Sequence, residues 1–62
     1  MNSIDYFRAK KGLSYADIAE KTGYTVPYIH MLAKGKRTNP SMEVLKKLST
    51  LFEITIDELI QQ

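Results

Sequence analysis

The chain has 62 residues, which allows one domain, and its formal net charge of +2 gives only a mild preference for anionic partners. It contains no cysteine and a single histidine, which excludes disulfides and leaves too few ligands for a zinc site built from protein side chains. Because so short a domain has a thin core, its stability must come from packing, helix caps or self-association.

The sequence shows no signal of export or membrane insertion. Residues 1–8 lack a basic stretch followed by a long apolar run, so no signal peptide is predicted. No segment approaches the ~20 apolar residues that span a bilayer. We therefore expect a cytoplasmic protein without a membrane partner.

Five helical signals, separated by turn signals, predict an all-α domain. The predicted helices cover about residues 3–11, 15–22, 26–34, 42–52 and 55–61. Their candidate N-caps are Ser3, Ser14, Thr25, Ser41 and Thr55. Asp17 and Glu58 each follow such a cap by three residues, which predicts two capping boxes. Glycines are predicted to end the first three helices: Gly12, Gly23 and Gly35.

Apolar spacing predicts which faces point inward. The predicted inward residues are Ile4 and Phe7 of the first helix, Ile29 and Leu32 of the third, and Met42, Leu45, Leu48 and Phe52 of the fourth. Only residues 23–25 separate the second and third helices, so the two must cross sharply, as in a helix-turn-helix. Ala19 is small enough for close packing at that crossing. Pro27 falls in the first turn of the third helix, where its missing N–H is not needed.

Several short motifs follow one another in a fixed order. They are Gly12-Leu13-Ser14, the run from Ile18 to Gly23, Gly35-Lys36-Arg37 and Asn39-Pro40-Ser41. In this order the chain resembles the Cro/CI-type helix-turn-helix family, also called the XRE family, over residues 4–60. The resemblance implies a compact five-helix, lambda-repressor-like domain over residues 1–62, which would be the whole of a small prokaryotic or phage regulator. Relatives usually bind operator DNA as two-fold dimers and repress or activate transcription, so we expect a repressor that associates with the nucleoid.

The resemblance also assigns roles at a DNA surface. Helix 26–34 would be the recognition helix, whose N-terminal residues face base edges in the major groove. Base reading is expected of Thr25, Val26, Pro27, Tyr28 and Met31. Phosphate contacts are expected of Ser14, Tyr15, His30, Lys34, Lys36, Arg37, Asn39 and Ser41. For Ser14, Asn39 and Ser41 a plain capping or turn role is the alternative, and the two roles can coexist.

This sequence departs from the family pattern at several positions. Val26, Pro27 and Met31 have no side-chain donor. These residues can pack on thymine methyl groups but cannot form the bidentate hydrogen bonds to bases that Arg makes with guanine and Gln with adenine. In many relatives the Arg at the position of Arg8 pairs with a Glu on the recognition helix, and Ala33 occupies that Glu position here. Arg8 must then find another carboxylate, cap a helix C-terminus or remain in water. Relatives often have Gln where this chain has Tyr15, and Gly where it has Glu53.

Two other functions are alternatives to DNA binding. The apolar face of Val26, Pro27, Tyr28 and Met31 could bind a protein partner instead of bases, since exposed apolar clusters often mark interfaces. Catalysis is disfavoured because His30 has no acid or nucleophile near it in sequence, and nothing indicates a cofactor or small-molecule ligand.

Homodimerisation is expected through the C-terminal region. There Phe52, Ile54 and Leu59 are predicted to be core, whereas Ile56 and Ile60 could serve either the core or the dimer.

Overall fold

The computed structural model describes residues 2–35 and 40–61 and contains five helices in these ranges. They are α1 (Asn2–Lys11), α2 (Tyr15–Thr22), α3 (Val26–Ala33), α4 (Met42–Phe52) and α5 (Ile56–Ile60). The predicted all-helical fold is therefore confirmed. In the described ranges no helix has the length and apolar character needed to cross a bilayer.

Side-chain caps set the start of four helices. The Ser14 hydroxyl accepts from the Asp17 N–H at 3.0 Å, and the Asp17 carboxylate accepts from the Ser14 N–H at 2.9 Å. Thr55 and Glu58 form the same reciprocal pair at 3.0 and 2.9 Å. Thr25 and Ser41 each accept from the backbone N–H three residues on. Both predicted capping boxes and both single caps are thus confirmed.

The predicted N-cap at Ser3 is wrong. Helix α1 begins at Asn2, and Ser3 lies within the first turn, fully buried, with no hydrogen-bond partner for its hydroxyl among the described residues. The reason is its position on the helix: Ser3 precedes Phe7 by four residues and therefore shares the face that Ile4 and Phe7 turn to the core.

The core is one cluster drawn from all five helices. Its members are Ile4, Phe7, Ile18, Ala19, Ile29, Leu32, Ala33, Val44, Leu48, Phe52 and Leu59. Phe52 and Leu59 are fully buried, as predicted, and Ile54 packs against the cluster while partly exposed. The Phe7 and Phe52 rings lie 5.9 Å apart and join α1 to α4.

The inward face of α4 differs from the prediction by part of a turn. Met42 is 56 % exposed, whereas Val44 is 5 % exposed and belongs to the core. Val44, Leu48 and Phe52 repeat every four residues and form the buried stripe, with Leu45 half-buried beside it. Met42 is excluded from this stripe because it precedes Val44 by two residues, which is a rotation of about 200° around the helix, and so lies on a different side of α4.

Gly23 makes the turn that joins α2 to α3. Its φ of 81° lies in the left-handed region, and its N–H donates to the Ala19 carbonyl at 2.8 Å. Ala19 and Ile29 are both buried where the two helices pack. The predicted left-handed turn and close crossing of a helix-turn-helix are confirmed.

We expect Gly23→Ala to destabilise the domain by about 1–2 kcal/mol, the usual penalty for a side chain in left-handed backbone. The cost is conformational alone, because a Cβ at this position would meet no atom within 4 Å. Thermal unfolding followed by circular dichroism measures it. An unchanged midpoint would contradict the strained turn.

Glu53 also adopts a left-handed backbone conformation, although it is not a glycine. Its φ is 59°, and it ends α4 at the position where the family resemblance implies Gly. The Lys11 ammonium donates to its carboxylate at 2.6 Å and lowers the pKa of Glu53. This exposed ion pair links the end of α1 to the end of α4.

Candidate nucleic-acid interface

The outer face of α3 gathers most of the residues predicted to read bases. Ile29, Leu32 and Ala33 are buried, which turns the opposite side of the helix to solvent. The exposed residues are Thr25, Val26, Pro27, His30, Met31 and Lys34. Residues 26, 30 and 34 are four apart, as are 27 and 31, so they form adjacent rows on one side of the helix. We call these six residues the recognition face.

Tyr28 takes a different position from its predicted neighbours. It is half-buried and packs against the core, and its ring lies 5.2 Å from the Tyr24 ring. Its backbone N–H donates to the Thr25 hydroxyl at 3.2 Å. Tyr28 therefore supports the start of α3 from the side, and only part of it is available at the surface.

The start of α2 lies beside the recognition face. Tyr15 is the first residue of α2, and its ring meets the His30 ring edge-on at 5.5 Å between centroids. The Ser14 backbone N–H and hydroxyl are both hydrogen-bonded to Asp17. The hydrogen bond from the Ser14 backbone lowers the pKa of Asp17. At this helix start, the backbone N–H groups of Tyr15 and Ala16 have no partner within the helix and can face an anion.

Asp5 of α1 accepts hydrogen bonds from side chains of α1, of α2 and of the C-cap of α3. Its Oδ1 accepts from the Tyr15 hydroxyl at 2.5 Å and from Arg8 Nε at 3.3 Å, while its Oδ2 accepts from Lys34 Nζ at 3.4 Å. The Tyr15 hydrogen bond is the largest of the effects that hold the pKa of Asp5 below its ordinary value. In return, Asp5 raises the pKa of Lys34. We call Asp5, Arg8, Tyr15 and Lys34 the Asp5 cluster.

Arg8 finds its partners without a glutamate on α3. Besides the Asp5 carboxylate, it donates from Nη1 to the Leu13 carbonyl at 3.0 Å and lies 4.9 Å above the Tyr15 ring centroid. Ala33, which stands at the expected glutamate position, is buried in the core. Of the three alternatives left open by the sequence, Arg8 combines another carboxylate with a carbonyl just beyond the end of α1.

Comparison with known proteins identifies the family to which this five-helix arrangement belongs. The family described as Helix-turn-helix matches residues 4–59, nearly the whole chain. The chain belongs to this helix-turn-helix family. Membership accounts for the five-helix order and for α2 and α3 as the two helices of the motif, as the Cro/CI-type resemblance predicted.

Two curated members of the family illustrate the likeness. The transcriptional regulator SinR of Bacillus subtilis is 30 % identical over 59 residues, covering 95 % of this chain and 53 % of SinR. DdrOP3 of Deinococcus deserti, also an HTH-type transcriptional regulator, is 41 % identical over 54 residues, covering 87 % of this chain and 41 % of that protein. The chain thus spans about half the length of these relatives.

A solved structure gives the same agreement in three dimensions. The crystal structure of SinR in complex with DNA superposes with a TM-score of 0.89 at 30 % identity, covering 95 % of this chain and 94 % of that one. The likeness therefore extends over the entire helix-turn-helix domain and not only its central motif.

Three predicted phosphate-contacting residues lie outside the described residues: Lys36, Arg37 and Asn39. Their assignment stays a prediction from the sequence. Ser41, just beyond them, is exposed and caps α4 by accepting from the Val44 N–H at 3.3 Å.

Sequence reasoning missed Asp5 in this helix-turn-helix domain. Its spacing of three residues from Arg8 was a readable signal for a pair on one helix. Tyr15 and Lys34, in contrast, are ten and 29 residues away in sequence, and only the tertiary fold brings them to the same carboxylate. Within the described ranges, no group of acidic or histidine side chains is arranged to hold a metal ion.

Proposed function

We propose that this domain binds double-stranded DNA in a sequence-dependent manner and regulates transcription, with residues 26–34 in the major groove. The observation that carries the proposal is the agreement with SinR in its DNA complex over 95 % of this chain. The exposed recognition face on α3 supports it, because this is the element that helix-turn-helix proteins insert into the groove.

The chemistry of the recognition face indicates how bases would be read. Val26 and Met31 offer apolar surface, which suits thymine methyl groups. Pro27 adds to this surface, while Thr25 and the accessible part of Tyr28 contribute hydroxyls. We propose that specificity comes from thymine contacts and DNA shape more than from bidentate hydrogen bonds.

Phosphate contacts would position the domain on both sides of the groove. On one side we propose the α2 start with Ser14 and Tyr15, and on the recognition face His30 and Lys34. On the other side we propose the segment between α3 and α4 and the cap of α4, namely Lys36, Arg37, Asn39 and Ser41. The three cationic side chains in this set, Lys34, Lys36 and Arg37, would make binding weaken as the salt concentration rises.

The whole protein's action is also part of the proposal. We propose a repressor that acts on DNA in the cytoplasm and binds as a homodimer, since two half-sites compensate for the few phosphate contacts of one domain. Ile60 is 55 % exposed and Ile56 is partly exposed on α5, so both are accessible to a second copy. Sedimentation that shows only monomer at high concentration would contradict the dimer.

Arg37→Ala tests the phosphate assignment. We expect weaker binding to every duplex and a salt slope smaller by about one, because one phosphate contact is lost. Fluorescence anisotropy over a range of salt concentrations measures both quantities. Lys46→Ala is the matched control, since it also removes one positive charge but from an exposed site on α4. Equal slopes for the two variants would contradict the placement of Arg37.

A second candidate function rests on the same exposed apolar residues. Val26 is 43 % and Met31 36 % exposed on the recognition face, so a protein partner could cover them in place of DNA. This alternative predicts no duplex binding even at low salt. It also predicts that changes at residues 26–31 abolish capture of the protein partner.

A further inference from the structure

The Asp5 cluster engages two of the groups proposed for phosphate binding. The Tyr15 hydroxyl and the Lys34 ammonium both donate to the Asp5 carboxylate, at 2.5 and 3.4 Å. A carboxylate and a DNA phosphate are both anionic acceptors that attract the same charge-assisted donors. We infer that Asp5 competes with a DNA phosphate for Lys34 and so limits the affinity and salt dependence of DNA binding.

The two donors are held with different strength. The Lys34–Asp5 pair is long, and its side chains are 47 % and 33 % exposed, so water and salt screen it. The Tyr15 bond is short and is reinforced by the Arg8 guanidinium above the Tyr15 ring. Lys34 is therefore the donor for which a phosphate competes with Asp5, while Tyr15 keeps its contact with Asp5 and its place beside His30.

Geometry puts this competition at the edge of the interface. Lys34 follows His30 by four residues and lies on the recognition face, at the C-terminal end of α3. The Asp5, Arg8 and Lys34 side chains carry a net charge of +1 as paired. Removing the carboxylate raises this local charge to +2 and leaves the Lys34 ammonium available to phosphate.

The inference rests on the proposed function and is tested with Asp5→Asn in the full chain. Asparagine keeps an oxygen that accepts from Tyr15 but loses the charge that holds Lys34. We expect the salt slope for a mixed-sequence duplex to steepen by about 0.9, the value for one phosphate contact on B-DNA. Such a contact corresponds to about fivefold tighter binding at about 0.15 M salt, for any duplex sequence.

The control is the same change without the lysine. In a Lys34→Met background, Asp5→Asn should leave the salt slope unaltered, because no ammonium is released. Asp5→Ser serves as a second variant that also removes the charge, and thermal unfolding of each variant reports on folding. A purely structural role for Asp5 would lower stability and affinity and would not steepen the slope.

The outcomes separate the two claims. If the parent chain binds duplex and a folded Asp5→Asn variant binds with the same or a smaller slope, the competition is overturned while the proposed function stands. If the gain persists in the Lys34→Met background, Lys34 is not the released group and the inference is also overturned. If the parent chain binds no duplex at low salt, the proposed function fails, and the inference fails with it.

Discussion

Phe52→Ala is expected to remove much of the domain's stability. Phe52 is fully buried at the end of α4, and its ring packs 5.9 Å from the Phe7 ring of α1. Truncating a buried Phe to alanine costs about 3–5 kcal/mol. A chain of 62 residues is stabilised by about 3–9 kcal/mol in total, so this single cavity removes much of the margin.

Circular dichroism during heating measures the loss of stability. We expect the Phe52→Ala midpoint to fall by more than about 12 °C, or the variant to show no cooperative transition. Met42→Ala is the control in the same helix, because Met42 is 56 % exposed and its truncation should change stability by less than about 0.5 kcal/mol. Similar shifts for the two variants would contradict the assignment of the α4 inward face.

Met31→Glu is expected to abolish tight DNA binding without unfolding the domain. Met31 is 36 % exposed on the recognition face, so the folded protein tolerates a charge there. In the complex, however, the new carboxylate faces the polyanionic groove and loses water without gaining a partner. Repulsion and an unsatisfied buried charge together should weaken binding by about a hundredfold.

A matched charge elsewhere separates this effect from the change in net charge. Thr50→Glu introduces the same charge at an exposed position of α4, in the groove between α2 and α4. We expect its affinity for DNA to remain within a few fold of the parent chain, with unchanged unfolding for both variants. If both variants lose affinity equally, the recognition face has no special place in binding.

The fold was largely predictable because local residue patterns mark where helices begin and end. Ser14 with Asp17, and Thr55 with Glu58, identify two helix starts without tertiary information, and the residues between helices are few. Where several inward faces are compatible with the sequence, prediction was weaker. Met42 and Val44 are both apolar, and only packing against the other helices decides that Val44 is buried.

The candidate site was predictable in part for the same reason. Burial of Ile29 and Leu32 was predicted from spacing, and this fixes which side of α3 faces outward. The Asp5 cluster could not be predicted, because its members come from three helices and meet only after those helices pack. Arg8 is an example, because Ala33 stands where the family resemblance implies its glutamate partner. Its contacts with Asp5 and the Leu13 carbonyl are visible only in the folded structure.

Selection of binding sites from a random duplex pool, at a stated salt concentration, tests the central claim most directly. If residues 26–34 read the major groove as proposed, repeated selection enriches a common sequence with thymines at the contacted positions. Dimeric binding would arrange it as two symmetric half-sites about 10 base pairs apart. Recovery of no common sequence, together with no retained duplex at low salt, would contradict the assignment of this domain as a DNA-binding regulator.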